Sequence, residues 1–277
     1  MARGPQQISS LAHDVRLEAR SWLAKARPLP SFMIIGAQRA GSTTFYGNIA
    51  QHPQIEPPIR KEIHYFSVHF QRGISWYRAH FPLSIVPAPK WQTFEATPYY
   101  LFHPLAPSRI QAVLPSARFI VILRDPVDRA VSHYRLNLER GNEELSFDEA
   151  IQAEPQRVPL SIDNLPSGSA QLEHHRRYSY LARGRYVEQL ERWFSLFDRS
   201  RFHIVDFADL ANDLRKSIGD AFAFLELPDF KGSAPRRRGM TTSHVSRPVD
   251  GADRLSEYFR PHNENLFKLL GRRFDWK

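Results

Sequence analysis

The chain has 277 residues, with 38 Lys and Arg against 29 Asp and Glu, a formal net charge of +9 and no Cys. A hydrophobic fraction of 42% with 12% aromatic residues is enough for a packed core, and it excludes a disordered or collagen-like chain. The lack of Cys excludes a disulfide scaffold, a thiolate metal site and a cysteine nucleophile, and it favours a reducing compartment. We therefore expect a cytoplasmic protein that is held together by packing.

The sequence predicts neither a membrane span nor a secretory signal. No stretch approaches the roughly 18 consecutive apolar residues that a membrane helix needs. Residues 1–30 mix basic and acidic side chains and lack the apolar segment of a signal peptide. No Gly/Ser-rich linker divides the chain, so we expect a helical arm over residues 1–30 and a single domain over residues 31–277. The sequence leaves the oligomeric state open.

The positive charge is concentrated towards the C-terminal end. Residues 231–277 contain eleven basic and five acidic residues, including three consecutive arginines at 236–238. Composition alone fits an anion-binding loop and a solvated basic turn equally well. Nucleic acid is not expected as a partner, because aromatic residues do not alternate with basic ones and no known nucleic-acid-binding motif is present.

Strand and helix patterns alternate along the chain. Residues 154–168 contain three prolines and few apolar residues, and we expect a mobile loop there. The alternation of buried strands with helices favours an α/β fold with a central parallel sheet flanked by helices. Short apolar runs predict strands at 31–36, 91–96, 118–123 and 202–207, and helical periodicity predicts helices at 17–26, 45–51, 186–197 and 255–270 and after Pro126.

The first predicted strand leads into a candidate phosphate-binding loop. Residues 36–43, Gly-Ala-Gln-Arg-Ala-Gly-Ser-Thr, have Gly-x4-Gly spacing between a strand and a helix, so that backbone N–H groups and the helix N-terminus would hold an anion. An ATPase P-loop ends in Gly-Lys-Ser/Thr, whereas Ser42 stands at the lysine position here. The cation available to this loop is Arg39. The simpler alternative is that Gly36 and Gly41 only permit a tight turn.

A second anion site is predicted where the strand at 118–123 ends. Arg124 follows this strand, Pro126 begins a helix, and Ser132 lies about two helical turns further on. The guanidinium of Arg124 is suited to a bidentate contact with a phosphate, to which the Ser132 hydroxyl would donate a hydrogen bond. The alternative is that Arg124 pairs with a helix acid and Ser132 is an ordinary helix residue.

Between these loops, residues 60–66, Arg-Lys-Glu-Ile-His-Tyr-Phe, form a segment dense in titratable side chains. Glu62 is a candidate general base, and His64 would share that role or hold an acceptor. The simpler alternatives are an ion pair of Glu62 with Lys61 or Arg60, and a His64 that hydrogen-bonds the backbone at the edge of the core.

Taken together, these motifs resemble the PAPS-dependent sulfotransferases, which use 3′-phosphoadenosine 5′-phosphosulfate (PAPS) as donor. The resemblance is to the branch that contains the heparan sulfate glucosamine 3-O- and N-sulfotransferase domains, and it covers residues 30–277. It rests on residues 36–43, 61–66 and 124–132 and on two C-terminal segments, 255–263 and 270–276. It implies a P-loop-like sulfotransferase fold, PAPS as co-substrate, adenosine 3′,5′-bisphosphate as product, and no metal.

The resemblance also implies a role for each site residue. Glu62 would take the acceptor proton, His64 would orient the acceptor, and Arg39 would stabilise charge on the leaving phosphosulfate. The residues implied to bind the nucleotide are Arg39, Ala40, Gly41, Ser42, Thr43 and Thr44 for the 5′ end, Arg124 and Ser132 for the 3′-phosphate, and Arg238, Gly239, Met240 and Thr241 for a C-terminal nucleotide loop.

The sequence departs from the heparan enzymes at three positions. The loop cation is Arg39 where the family usually has Lys, Ala96 stands where those enzymes have Lys, and Ser67 stands where they have Asp. The acceptor stays open among a carbohydrate, a lipid and a small metabolite, sulfated on oxygen or on nitrogen. Two competing hypotheses are a P-loop kinase or NTPase that consumes ATP with magnesium, and a non-catalytic binder of nucleic acid or another polyanion.

Overall fold

A fully buried strand, β1 (Phe32–Gly36), lies at the centre of a five-stranded parallel sheet. It pairs with β3 (Gln92–Ala96) on one side and with β4 (Arg118–Leu123) on the other. The edge strands are β2 (Ile55–Glu56) and β5 (Phe202–Asp206), so that the order is β2-β3-β1-β4-β5. Strands covered on both faces must be apolar along their whole length, which explains the uninterrupted apolar runs of β1 and β4.

The chain reverses direction across the sheet at β1. It first adds β2 and β3 on one side of β1 and then crosses to add β4 and β5 on the other side. In open parallel sheets, ligands bind outside the carboxyl ends of the strands at such a reversal point. The carboxyl ends of β1 and β4 are adjacent here, so the two predicted anion sites lie side by side.

Helices flank the sheet, as the sequence predicts. The computed structural model describes residues 15–83, 91–159, 161–162, 168–230, 232 and 252–276. No helix within these ranges is long and apolar enough to cross a membrane. The helices are α1 (Ser42–Ile49), α2 (Gly73–Arg78), α3 (Ala106–Val113), α4 (Pro126–Glu139), α5 (Phe147–Arg157), α6 (Ala170–Arg177), α7 (Tyr186–Phe194), α8 (Phe207–Asn212), α9 (Leu214–Phe224) and α10 (Ala252–Leu270), and 3₁₀ turns lie at Ala24–Ala26, Phe70–Arg72, Ala182–Gly184 and Arg199–Arg201.

The N-terminal segment packs against the segment that follows α2. Residues 15–21 are helical, and Leu17 is buried. Arg20 Nε donates to the carbonyl oxygen of Ala79 at 2.6 Å, and Arg27 Nη1 donates to that of Phe81 at 2.7 Å. The division into an arm and one domain stays a prediction.

The predicted loop over residues 154–168 is wrong in its first part, because α5 continues to Arg157. Ser146 and Glu149 form a capping box at the start of this helix. Glu154 is buried near its other end and accepts two backbone N–H groups at 2.6 and 2.9 Å. These contacts outweigh the weak helical pattern of the local sequence. The rest of the predicted loop lies only partly within the described residues.

Helix α4, which carries Ser132, is fixed at its start and along one face. Asp125 caps it by accepting the backbone N–H groups of Val127 at 2.8 Å and Asp128 at 3.1 Å. An apolar cluster packs α4 against α5 and α10, which holds Ser132 in a defined place beside the sheet. The cluster contains Ala130, Tyr134, Phe147, Ala150, Tyr180, Leu255 and Phe259.

Candidate active site

The loop after β1 turns directly into α1, and both of its motif glycines have local explanations. Gly41 has a φ of 83°, which glycine adopts freely, and an added Cβ would meet Phe207 at 3.2 Å. A Cβ on Gly36 would meet the side chain of Leu101 at 2.5 Å. These glycines therefore serve the turn and its packing, as the simpler alternative proposes. The case for an anion site depends on other contacts of the loop.

Helix α1 begins without a side-chain cap, because its N-cap residue is Gly41. The first N–H groups of a helix have no acceptor within it, and the helix dipole places partial positive charge at the same end. Residues 42–44 supply these groups, and such a terminus favours a phosphate. The backbone N–H of Ala40 instead donates to the carbonyl oxygen of Ala37 at 3.3 Å within the loop.

Three predicted residues meet beside this loop. Arg39 Nε donates to Ser132 Oγ at 3.0 Å, and Arg124 Nη1 donates to the carbonyl oxygen of Arg39 at 3.2 Å. Arg124 also stacks on the ring of Phe207 at 4.6 Å and lies 3.6 Å from the carboxylate of Asp128. Its Nε has no hydrogen-bond partner among the described residues. The alternative pairing with a helix acid is therefore present, yet a buried donor is left over for a ligand.

Positive charge is in excess where these residues meet. Burial lowers the pKa of Arg39, and the neighbouring charge of Arg124 lowers it further. An arginine still keeps its charge at neutral pH. Asp128 lies within ion-pair distance of Arg124, and Glu139 is the carboxylate whose charge acts on Arg39, while Arg140 adds a further positive charge beside the helix N-terminus. This balance fits the phosphate groups of a nucleotide.

Glu62 and His64 lie on an irregular segment that follows β2 and lies against β3. The backbone N–H of Glu62 donates to the carbonyl oxygen of Ala96 at 3.0 Å. Both residues have a φ of 59°, a conformation that residues other than glycine adopt rarely. Within the described residues, four non-glycine residues have a positive φ, and three of them are Arg39, Glu62 and His64. Such backbone conformations cluster at functional sites.

The Glu62 carboxylate lies between an ammonium group and an imidazole. Its Oε1 is 3.0 Å from Lys61 Nζ, and its Oε2 is 3.7 Å from His64 Nε2. Burial opposes ionisation of Glu62, but the neighbouring His64 imidazole and the charge of Lys61 outweigh it and lower the pKa to about 2. Burial lowers the pKa of His64. At neutral pH, Glu62 is therefore an ionised group that can take a proton, and its side chain is 47% exposed.

Lys61 connects this segment to the first turn of α1, a contact with no local signal in the sequence. Its Nζ donates to Thr43 Oγ1 at 3.0 Å as well as to Glu62. The ammonium group therefore lies at the first turn of α1, beside the uncapped N–H groups. The sequence suggested only a pairing of Lys61 with Glu62, because 18 positions separate Lys61 from Thr43 and only the fold brings them together.

A cavity of about 170 Å³ opens beside Glu62 and His64. Arg176 and Arg177 on its wall share one carboxylate, Glu173, at 2.8 and 3.1 Å. Arg140 and Arg183 also line the cavity, so that four arginines face it and few acids offset their charge. This feature has no local signal in the sequence, because the residue after α4, the helix α6 and the turn at 182–184 supply the arginines separately. The polar lining comprises Gln38, Glu62, His64, Tyr99, His133, Asn137, Arg140, Asn142, Arg176, Arg177 and Arg183.

Two further observations concern the extent of the site. A larger cavity of about 380 Å³ adjoins α1 and α9, and none of its lining residues belongs to the predicted site. The predicted C-terminal nucleotide loop, Arg238 to Thr241, lies outside the described residues. The described part of the site thus consists of the loop after β1, the start of α4, the segment with Glu62, and the arginine-lined cavity.

Known proteins share this sequence pattern over most of the chain. The family model of the sulfotransferase domain matches residues 29–238, which include all five strands. Membrane-associated sulfotransferase kil1 of Dictyostelium discoideum is 25% identical, over 90% of this chain and 67% of the relative. Heparan sulfate glucosamine 3-O-sulfotransferase 6 of Homo sapiens is 27% identical, over 90% of this chain and 74% of the relative.

Two other matches define how far the likeness extends. The chain is 29% identical to bifunctional heparan sulfate N-deacetylase/N-sulfotransferase 3 of Homo sapiens, but spans only 30% of that protein. The crystal structure of a sulfotransferase from Alicyclobacillus acidocaldarius matches with a TM-score of 0.72 and 26% identity, over 89% of this chain and 98% of that one. Because the family model matches most of the chain, the protein belongs to the sulfotransferase family and is a transferase enzyme.

Proposed function

We propose that the protein transfers a sulfuryl group from PAPS to a hydroxyl or amine group of an anionic acceptor, with Glu62 as the general base. The observation that carries this proposal is the contact of Arg39 with Ser132 and Arg124 beside the uncapped start of α1. Lys61 places Glu62 next to the same helix terminus. Donor site and base therefore face each other.

The donor has two charged ends, and the site has two groups of donors to match. The N–H groups of residues 42–44 and the Lys61 ammonium are suited to the 5′-phosphosulfate. Arg124 and Ser132 are suited to the 3′-phosphate, because Arg124 has a buried Nε to offer. Ser132 accepts from Arg39 and so keeps its hydroxyl proton for an anion. A requirement for the 3′-phosphate distinguishes PAPS from ATP.

The reaction needs positioning, a base and neutralisation of charge on the leaving group. The acceptor oxygen or nitrogen forms a bond to sulfur, and the bond from sulfur to the bridging oxygen of the 5′-phosphate breaks. Glu62 takes the acceptor proton, and its low pKa keeps it ionised before the reaction. Lys61, which lies at the first turn of α1, offsets the charge that develops on the leaving phosphate, the role that the resemblance implies for Arg39. Adenosine 3′,5′-bisphosphate is the second product.

The cavity beside Glu62 favours an acceptor that carries negative charge. Arg140, Arg176 and Arg177 line it, and the last two share a single carboxylate. Heparan sulfate, which the names of two relatives contain, is one acid polymer of this kind. The resemblance implies that the departures at Ser67 and Ala96 lie on the acceptor side, so the proposal does not require heparan sulfate as the acceptor. An acidic carbohydrate, lipid or small metabolite each meets the requirement.

A turnover assay tests the proposal. The protein is incubated with PAPS and matched acceptors, one of each pair carrying a sulfate or carboxylate group, and sulfated product and adenosine 3′,5′-bisphosphate are measured by mass spectrometry. We expect transfer to the anionic member, a loss of about 100-fold or more in Glu62→Gln, and no loss with EDTA. Phosphate transfer from ATP with magnesium would favour the kinase hypothesis. Binding of polyanions without any transfer, weakened steeply by salt, would favour the non-catalytic binder.

A further inference from the structure

Glu95 of β3 is a fully buried carboxylate that the proposed reaction does not use. Its Oε1 accepts hydrogen bonds from Thr97 Oγ1 and from the Tyr100 hydroxyl, both at 2.7 Å. Its Oε2 accepts one from the Tyr77 hydroxyl at 2.5 Å. Three hydroxyl groups therefore donate their protons to this single side chain.

Two of these hydroxyl groups also contact the segment that carries Glu62. Thr97 Oγ1 accepts the backbone N–H of His64 at 3.4 Å, and the Tyr100 hydroxyl accepts the backbone N–H of Phe66 at 3.2 Å. A hydroxyl group has one proton and two lone pairs. When its proton is committed to Glu95, its lone pairs face the N–H groups of the segment.

We propose that Glu95 is a positioning residue for the general base. Through Thr97 and Tyr100 it fixes the backbone at residues 62–66 in the conformation that sets the Glu62 carboxylate against Lys61 and His64. Glu95 does not touch substrate. The inference rests on the proposed function, because it requires that Glu62 acts as the base.

The residues around Glu95 offer a matched control. Tyr100→Phe and Tyr77→Phe each remove one buried hydroxyl that donates to Glu95, but only Tyr100 also holds an N–H of the segment. Thr97→Val removes the hydroxyl that holds His64 while keeping the shape of the side chain. We expect kcat to fall about tenfold in Thr97→Val and Tyr100→Phe, with unchanged affinity for adenosine 3′,5′-bisphosphate, and Tyr77→Phe to keep kcat within about twofold. An equal loss of kcat in Tyr77→Phe would overturn the proposal.

Two substitutions of Glu95 itself separate orientation from charge. In Glu95→Gln the amide oxygen still accepts from Thr97 and Tyr100, and the amide nitrogen faces Tyr77. In Glu95→Leu both hydroxyl groups lose their acceptor. We expect Glu95→Gln to keep most of kcat and Glu95→Leu to lose it. A Glu95→Gln variant that folds and binds the nucleotide but is as inactive as Thr97→Val would overturn the proposal.

Hydrogen exchange of the backbone amides tests the same contacts without any assay of activity. We expect the His64 amide to exchange faster in Thr97→Val and the Phe66 amide to exchange faster in Tyr100→Phe, with no change at either amide in Tyr77→Phe. Unchanged exchange at both amides would contradict the role of Glu95. Faster exchange in a protein that fails to transfer sulfuryl groups from PAPS would instead support the contacts and refute the proposed function.

Discussion

Arg39 Nε donates to Ser132 Oγ at 3.0 Å across 93 positions of the chain. This contact joins the loop after β1 to α4, so the residues of the two predicted anion sites lie next to each other. It also turns the Arg39 side chain towards α4, while Lys61 Nζ lies at the first turn of α1 through its bond to Thr43. The loop after β1 lacks the P-loop lysine, and the cationic groups beside it are Arg39 of the loop itself and Lys61 of the segment that carries Glu62.

The contact between Arg39 and Ser132 predicts coupled effects on nucleotide affinity. Arg39→Lys keeps the charge but loses the planar donor that reaches Ser132, and Ser132→Ala removes the acceptor. We expect each change to weaken binding of adenosine 3′,5′-bisphosphate about tenfold. The loss of affinity in the double variant should be smaller than the product of the two single losses, because the effects of residues in contact are not additive. Calorimetric titration of the four proteins measures this. Fully multiplicative losses would show that the two residues act independently.

Removal of the Lys61 ammonium is predicted to affect both the donor and the base. In Lys61→Met we expect kcat to fall about 100-fold, because charge on the leaving phosphate is less well neutralised. The pKa of Glu62 should rise, since the charge of Lys61 is one of the causes that lower it. Kinetics and an NMR titration of Glu62 check the two effects. Lys216→Met, which breaks an exposed pair with Asp220, is the control and should change neither.

The arginine-lined cavity predicts a selective effect on the acceptor. Arg140→Ala and Arg176→Ala should each raise the KM for an anionic acceptor about tenfold and leave the affinity for adenosine 3′,5′-bisphosphate unchanged. Arg260→Ala, at a side chain that is 71% exposed on α10, removes the same charge elsewhere and should change neither value. If the KM for a neutral acceptor rises as much as the KM for an anionic one, the cavity does not select for charge.

Glu95 predicts a pH dependence of stability. Burial raises its pKa to about 7, although hydrogen bonds from Tyr77, Thr97 and Tyr100 act in the opposite direction. Between the ordinary carboxyl pKa and about 7, the folded protein holds a proton that the unfolded chain releases, so this group makes the fold less stable as pH rises through that window.

Urea unfolding at pH 5 and pH 8 measures this contribution when the wild type is compared with Glu95→Gln, which cannot titrate. The stability of the wild type relative to the variant should be greater at pH 5 by about 2–3 kcal/mol. The same difference between the two proteins at both pH values would show that Glu95 ionises in its normal range.

Parts of the fold could be predicted because their signals are local. The apolar runs of β1 and β4 have to be buried on both faces, and Pro126 after Asp125 marks the start of α4. The two-residue strand β2 gives no comparable signal, and neither does the continuation of α5 to Arg157, which depends on caps and on burial against distant backbone.

The candidate site could be proposed from the sequence as a set of residues but not as a geometry. Arg39, Glu62 and His64 stand out by residue type, yet nothing in the local sequence marks their left-handed backbone. The position of Lys61 and the four arginines of the cavity result from tertiary packing alone. The C-terminal nucleotide loop, the roles of the individual site residues, the single domain and the cytoplasmic location stay predictions.

The central claim is that the described site holds a nucleotide with a 3′-phosphate. Calorimetric titration with adenosine 3′,5′-bisphosphate, beside AMP and ATP with magnesium, tests it most directly. We predict tight binding of adenosine 3′,5′-bisphosphate, and at least tenfold weaker binding of AMP and of ATP with magnesium. The Arg124→Ala variant should bind adenosine 3′,5′-bisphosphate at least tenfold more weakly than the wild type. Equal binding of ATP, or binding that survives Arg124→Ala unchanged, would contradict the assignment of Arg124 and of PAPS as the donor.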